Sequence, residues 1–66
     1  MKIAKEIEKG EGIIRVALQE YRGHEYIDIR QYYKDNSGDF KPTKKGITFN
    51  PEILDEIIEG LEALKE

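Results

Sequence analysis

The spacing of apolar residues along this chain of 66 residues changes period once, near Asn50. Before that point it runs in twos. Ile14, Val16 and Leu18 alternate with Arg15, Ala17 and Gln19, the signature of a half-buried strand over residues 13–21. Tyr21 closes the outward row. Residues 24–34 repeat the pattern, with Ile27 and Ile29 predicted inward and Tyr26, Asp28, Arg30 and Tyr32 on the opposite face. Arg22-Gly23 between the two runs reads as a tight turn, because glycine adopts a positive φ without cost. Asp35-Asn36-Ser37-Gly38-Asp39 is a dense turn cluster leading into residues 40–49, FKPTKKGITF, where Ile47 and Phe49 flank Thr48. Pro42 has no N–H for a ladder, which puts this strand at a sheet edge or starts it after the proline. Residues 2–9 have helix-forming composition, but Gly10 and Gly12 end the run too early for a stable isolated helix. They are read as a first strand.

From Asn50 onward the period becomes helical. Asparagine is a favoured N-cap, and proline at the first helical position loses no needed donor. Glu52, Asp55 and Glu56 then place negative charge at the positive end of the helix dipole. Apolar residues recur at 53, 54, 57, 58, 61 and 64, and Gly60 weakens the middle by about 1 kcal/mol relative to alanine. The expected fold is α+β: one domain over 1–66, a curved four-stranded antiparallel sheet over about 2–49, then one C-terminal helix over about 51–65.

That architecture leaves apolar surface to cover. A chain this short buries only about 60% of its unfolded surface. With no cysteine there are no disulfides and no thiolate zinc sites. A single His and no carboxylates at ligand spacing argue against a metal, so no cofactor is expected. One helix cannot cover two sheet faces, and its apolar stripe is wide. A homodimer that shares helices and sheets is the economical expectation; the alternative is a stripe packed only on its own sheet. No apolar run is long enough for a bilayer, and MKIAKEIEKGEG has no apolar signal core, so neither membrane nor secretion is expected. With no phosphate-binding glycine loop, no G-x-S-x-G and a lone His24 lacking a nucleophile, an enzyme is not expected either.

The net charge of −3 argues at first against nucleic acid. Its distribution reverses that argument. Residues 1–50 hold 10 Lys+Arg against 8 Asp+Glu, while residues 51–66 hold 1 against 6. An acidic helix therefore masks a mildly basic sheet. FKPTKKG carries three lysines and no acid, Arg22 and Arg30 precede it, and Tyr21, Tyr26, Tyr32, Tyr33 and Phe40 are interleaved. Cations for phosphates beside rings for bases are the physical recipe for single-strand binding. An acidic helix is unsuited to a duplex major groove. The plainer readings are that the lysines blunt an edge strand, that Arg30 pairs with Asp28, and that Tyr32 and Tyr33 pack in a core or interface.

YIDIRQYY, a polar turn and FKPTKKGITFNPE fill the stretch from Tyr26 onward. This resembles the single-stranded-DNA-binding domain of the positive cofactor 4 family of transcriptional coactivators. That family's pattern runs roughly I-D-I-R-x-[YW]-[YW], a turn, then K-P-x-[KR]-K-G-I-[ST]-[LF]. The resemblance implies four curved strands and a helix, a homodimer, and single-stranded DNA in basic, aromatic-lined channels. It also implies DNA contacts for Tyr21, Arg22, Arg30, Tyr33, Lys41, Lys44 and Lys45, with Pro42 and Gly46 as backbone devices. Tyr33 stands where the family usually has Trp, and Gln19, His24 and Thr43 also depart from vertebrate members, implying a less basic channel. Because Tyr33 shares parity with Ile27 and Ile29, a bulge or bend is expected to re-aim it for stacking.

The expected function is non-enzymatic binding of single-stranded DNA, or of single-stranded RNA or melted duplex, with little sequence preference. The setting would be transcription, with the transcription machinery as a further partner, or genome maintenance. The location would be cytoplasmic and nucleoid-associated in a prokaryote, nuclear in a eukaryote. The alternative is a homodimeric interaction module that recruits a protein through its acidic helix.

Overall fold

The computed structural model of the chain describes residues 1–65. Four strands, β1 (Lys2–Lys9), β2 (Gly12–Tyr21), β3 (His24–Lys34) and β4 (Phe40–Phe49), form one antiparallel meander in sequence order. A 3-10 turn (Pro51–Ile53) leads into the helix α1 (Leu54–Ala63). The ambiguous first segment is a strand, and its eight residues are all exposed at the sheet edge. Lys2, Lys5 and Lys9 along it discourage further strand pairing, as edge lysines do.

Local chemistry sets the register. Arg22 and Gly23 both take positive φ, 51° and 80°, the two-residue hairpin geometry whose twist matches the flanking strands. That turn fixes the pairs Tyr21↔His24, Arg15↔Arg30 and Ile13↔Tyr32 along β2 and β3. In the β3–β4 turn, the Asp35 carboxylate accepts from the backbone N–H groups of Ser37 (2.8 Å) and Asp39 (3.0 Å). Gly38 completes the turn at φ 86°.

β4 incorporates Pro42 because it is an edge strand, as the proline demands. Its pairing with β3 then breaks. Tyr32 faces Pro42 and Arg30 faces Gly46, so two residues of β3 span four of β4. Thr43 holds this bulge: its hydroxyl donates to the Gln31 carbonyl (2.7 Å) and accepts from the Lys45 N–H (3.1 Å). Gly46 lets β4 return to the ladder. A Cβ there would sit 2.8 Å from the Ile29 carbonyl oxygen and 2.9 Å from Arg30.

Burial falls on the face read as outward. Ile13, Ala17, Asp28 and Tyr32 are the buried residues, whereas Ile14, Val16, Leu18, Ile27 and Ile29 are only half-buried. The alternation itself holds in the register; the assignment of its inner side does not. Long side chains of adjacent positions contribute to that burial, Arg15 over Tyr32 and Arg30 beside Asp28.

The C-terminal segment begins as expected, with the Asn50 side chain accepting from the Glu52 N–H at 2.8 Å. Pro51 opens a 3-10 turn rather than the helix proper, and α1 ends at Ala63, earlier than the predicted 65. This segment reaches the sheet through the 3-10 turn packed on β3. In α1, Leu54 and Ile57 are half-buried, while Ile58 and Leu61 are exposed, as is Leu64 just beyond its end. The apolar stripe is not satisfied by its own sheet.

Candidate nucleic-acid interface

The two-residue hairpin aligns Arg15, Gln19 and Tyr21 of β2 with Arg30, Tyr26 and His24 of β3 on one face. At its centre two arginines stand directly opposite each other. Like charges so placed destabilise a sheet unless compensated. Each has a carboxylate: Arg15 Nε donates to Glu6 Oε2 at 2.8 Å, and Arg30 Nε to Asp28 Oδ1 at 3.1 Å. The Arg15 guanidinium also lies 4.3 Å from the Tyr32 ring centroid, a cation–π stack that helps bury the tyrosine. Arg30 Nη1 donates to the Thr43 carbonyl at 2.8 Å. One guanidinium thus ties Asp28 to the bulge that carries Lys44 and Lys45.

The sequence-predicted residues are distributed over the β2–β3 hairpin, β3 and β4. Tyr21 and Arg22 share the β2–β3 hairpin, where the Arg22 guanidinium stacks 5.2 Å from the Tyr21 ring. Tyr21 is 56% exposed and borders an open cleft with Arg22, His24, Tyr26 and Thr48. Arg30 sits mid-strand, joined to the Lys44–Lys45 bulge through Thr43. Tyr33 and Lys41 are cross-strand partners near the opposite end, with Tyr33 52% exposed. Lys41 approaches Asp35 at 3.9 Å. The structure therefore brings these residues together as three groups: a hairpin group, a central group and a loop-end group. Nine residues of extended strand, about 30 Å, separate the outer two.

The expected bulge exists, but its extra residues belong to β4. Alternation along β3 runs unbroken through Tyr33, which stays on the side of Ile27 and Ile29. Of the adjacent pair, Tyr32 rather than Tyr33 stands on the arginine face, with Tyr21 and Tyr26. Sequence reasoning missed Arg15, which a signal does reveal: a hairpin turning on residues 22 and 23 places residue 15 opposite residue 30. It also missed Thr43, whose role needs the tertiary bulge. Among the described residues no His, Cys, Asp and Glu cluster could hold a metal ion.

Comparison with known proteins agrees with this fold. The sequence profile of the family Transcriptional Coactivator p15 (PC4) matches residues 9–60. The yeast (Saccharomyces cerevisiae) RNA polymerase II transcriptional coactivator SUB1 is 44% identical over 45 residues, 67% of this chain and 15% of SUB1. A Drosophila melanogaster RNA polymerase II transcriptional coactivator is 42% identical over 40 residues, 61% of this chain and 36% of that protein. The chain thus corresponds to well under half the length of these curated relatives. Among solved structures, BPSL1147, a PC4 homolog from Burkholderia pseudomallei, superposes with a TM-score of 0.89 at 36% identity, covering 98% of this chain and 97% of that one. A bacteriophage T5 homolog of PC4, implicated in recombination-dependent DNA replication, gives 0.61 at 26% identity over 94% of this chain and 96% of its own. With its meander, its arginine-centred β3 and its IDIR and KPTKKG segments in register, the chain belongs to the PC4 family of transcriptional coactivators.

Proposed function

We propose that this chain binds single-stranded nucleic acid, DNA foremost, through the basic and aromatic groups along β3 and β4, without catalysis. The observation that carries this reading is the set of rings and cations on β3, its hairpin and β4: exposed Tyr21 with Arg22, half-buried Arg30 tied through Thr43 to the Lys44–Lys45 bulge, and, on the other side of the sheet, exposed Tyr33 with Lys41. Phosphates are captured by the cations, and unpaired bases, which expose their faces, stack on the rings. Backbone capture and stacking read no base edges, so sequence preference is weak. Such a protein serves transcription, as its coactivator relatives do by name, or genome maintenance, as the phage homolog suggests.

The binding unit is a homodimer. A monomeric protein of this mass exposes about 4,300 Å², whereas this chain exposes 5597 Å². Its radius of gyration, 13.2 Å, likewise exceeds the roughly 10.8 Å of a compact chain of this length. The exposed apolar residues include Ile58 and Leu61 of the α1 stripe as well as Ile3, Ile7 and Ile47 of the sheet. A second copy, whose own stripe has the same need, covers that stripe by symmetry.

Titration of oligo-dT at increasing salt tests the binding reading. If about five phosphates are neutralised per subunit, log K falls with log salt at a slope of about −3.5. Absence of binding at low salt refutes it. A second reading, recruitment of a basic protein partner by the helix, rests on the exposed Glu52, Asp55, Glu56 and Glu59. It requires that neutralising these residues abolish partner recruitment while oligonucleotide binding persists.

A further inference from the structure

We propose that Arg15 is a further phosphate-binding residue on the arginine face and that Glu6 is its displaceable counter-ion, an acid gate that sets affinity. The inference rests on the nucleic-acid reading above and deepens it. Arg15 and Arg30 are direct partners across the β2–β3 ladder, which holds their Cβ atoms about 5 Å apart. Both guanidinium groups stand on the same face, and neither is free in the isolated chain.

Their counter-ions differ in kind. Asp28 is 7% exposed, sits two residues from Arg30 on the same strand, and is gripped by both its oxygens at 3.1 and 3.3 Å. It is a permanent part of the sheet. Glu6 projects from β1, an edge strand exposed along its whole length, and its side chain keeps 39% of its exposure. It meets Arg15 through a single contact, at Nε. The two terminal nitrogens of Arg15 have no partner among the described residues. The Tyr32 ring beneath the guanidinium fixes its plane.

A planar guanidinium held by a ring, with two donors unused, is preorganised for a bidentate phosphate. Glu6 has only to swing on its solvent-exposed side for a phosphodiester oxygen to replace it at Nε. The neighbouring Arg30 then adds favourable field instead of cross-strand repulsion, because one phosphate faces two cations. Glu6 thus keeps the twin arginines compatible in the unbound sheet, and it competes with weakly bound anions.

The test compares oligo-dT affinity and its salt slope for the wild-type 66-residue chain, Glu6→Gln, Glu8→Gln and Arg15→Gln. Glu8 shares the face and strand of Glu6 but has no cationic partner among the described residues, so it reports the general field alone. Glu6→Gln should bind about threefold tighter, the worth of an exposed ion pair no longer broken on binding. Its salt slope should stay at the wild-type value, because the same phosphate is neutralised in both. Arg15→Gln should weaken binding about fivefold and make the slope shallower by about 0.7. Glu8→Gln should change affinity by less than half the Glu6→Gln effect. Unchanged affinity in Glu6→Gln overturns the gate, and so does an equal gain in Glu8→Gln. Neither comparison depends on Arg15→Gln remaining folded. Failure of the wild-type chain to bind at low salt instead removes the underlying reading, a distinguishable outcome.

Discussion

In the sheet, Asp28 and Tyr32 lie buried under neighbouring side chains of their own chain; in α1, no residue is buried and Leu61 is 56% exposed. The polar-looking strand face satisfies itself, through Arg15 on Tyr32 and Arg30 on Asp28. The apolar-looking helix does not. A sheet can pair charges across its own ladder because adjacent strands stand within side-chain reach of each other. A ten-residue helix that touches the sheet mainly through its leading 3-10 turn has no such neighbour. The proposed recognition groups are thus held by contacts within one chain, whereas the apolar stripe of the helix is left exposed by it.

The contrast breaks most sharply at the helix. Ile58→Asp with Leu61→Asp should convert a dimer to a monomer, halving the mass seen by light scattering. Because the fold loses its partner, the thermal transition should also drop by well over 10 °C or disappear. Retained dimer mass would show that the stripe is not the interface. At the sheet, Lys44→Glu with Lys45→Glu should weaken oligo-dT binding by at least about tenfold at moderate salt. Both side chains are exposed, so circular dichroism and dimer mass should be unchanged. Unaltered affinity would remove the β4 bulge from the site.

Two smaller changes sharpen the same division. Gly46→Ala places a methyl against the Ile29 carbonyl and Arg30, and should cost about 1–3 kcal/mol in denaturant unfolding by shifting β4 from the ladder. It should also weaken binding, since the bulge and Arg30 are tied together. Asn50→Ala removes only the cap on the Glu52 N–H, costing about 1 kcal/mol with binding per folded molecule unchanged. Similar binding losses in both variants would mean that helix and sheet are not separable.

Much of this was legible without coordinates. Arg22-Gly23, the Asp35–Asp39 cluster and Asn50-Pro51 are local signals, set by backbone torsion and nearest-neighbour hydrogen bonds, and all three punctuate the chain where expected. The segment 2–9 was settled as a strand by the glycines beyond it. The inner side of the sheet was not legible. Hydropathy ranks Ile14 and Ile29 above Asp28 and Tyr32, but burial there follows which long side chains lie over which neighbours. Tyr33 shows the same limit, since parity alone could not say whether the bulge would fall on β3 or β4.

Strand order, turn chemistry, the capped helix and the split between acidic helix and basic sheet are properties of residues close together in the chain. They follow from period, propensity and charge. The Arg15–Arg30 opposition, the choice of Glu6 as the Arg15 counter-ion, and the Thr43 bulge that ties Lys44 and Lys45 to Arg30 join residues 9 to 15 positions apart. Those arrangements depend on register and on the path of β4 past β3. Only the folded sheet decides them, because a shift of one residue would turn every one of these side chains to the other face.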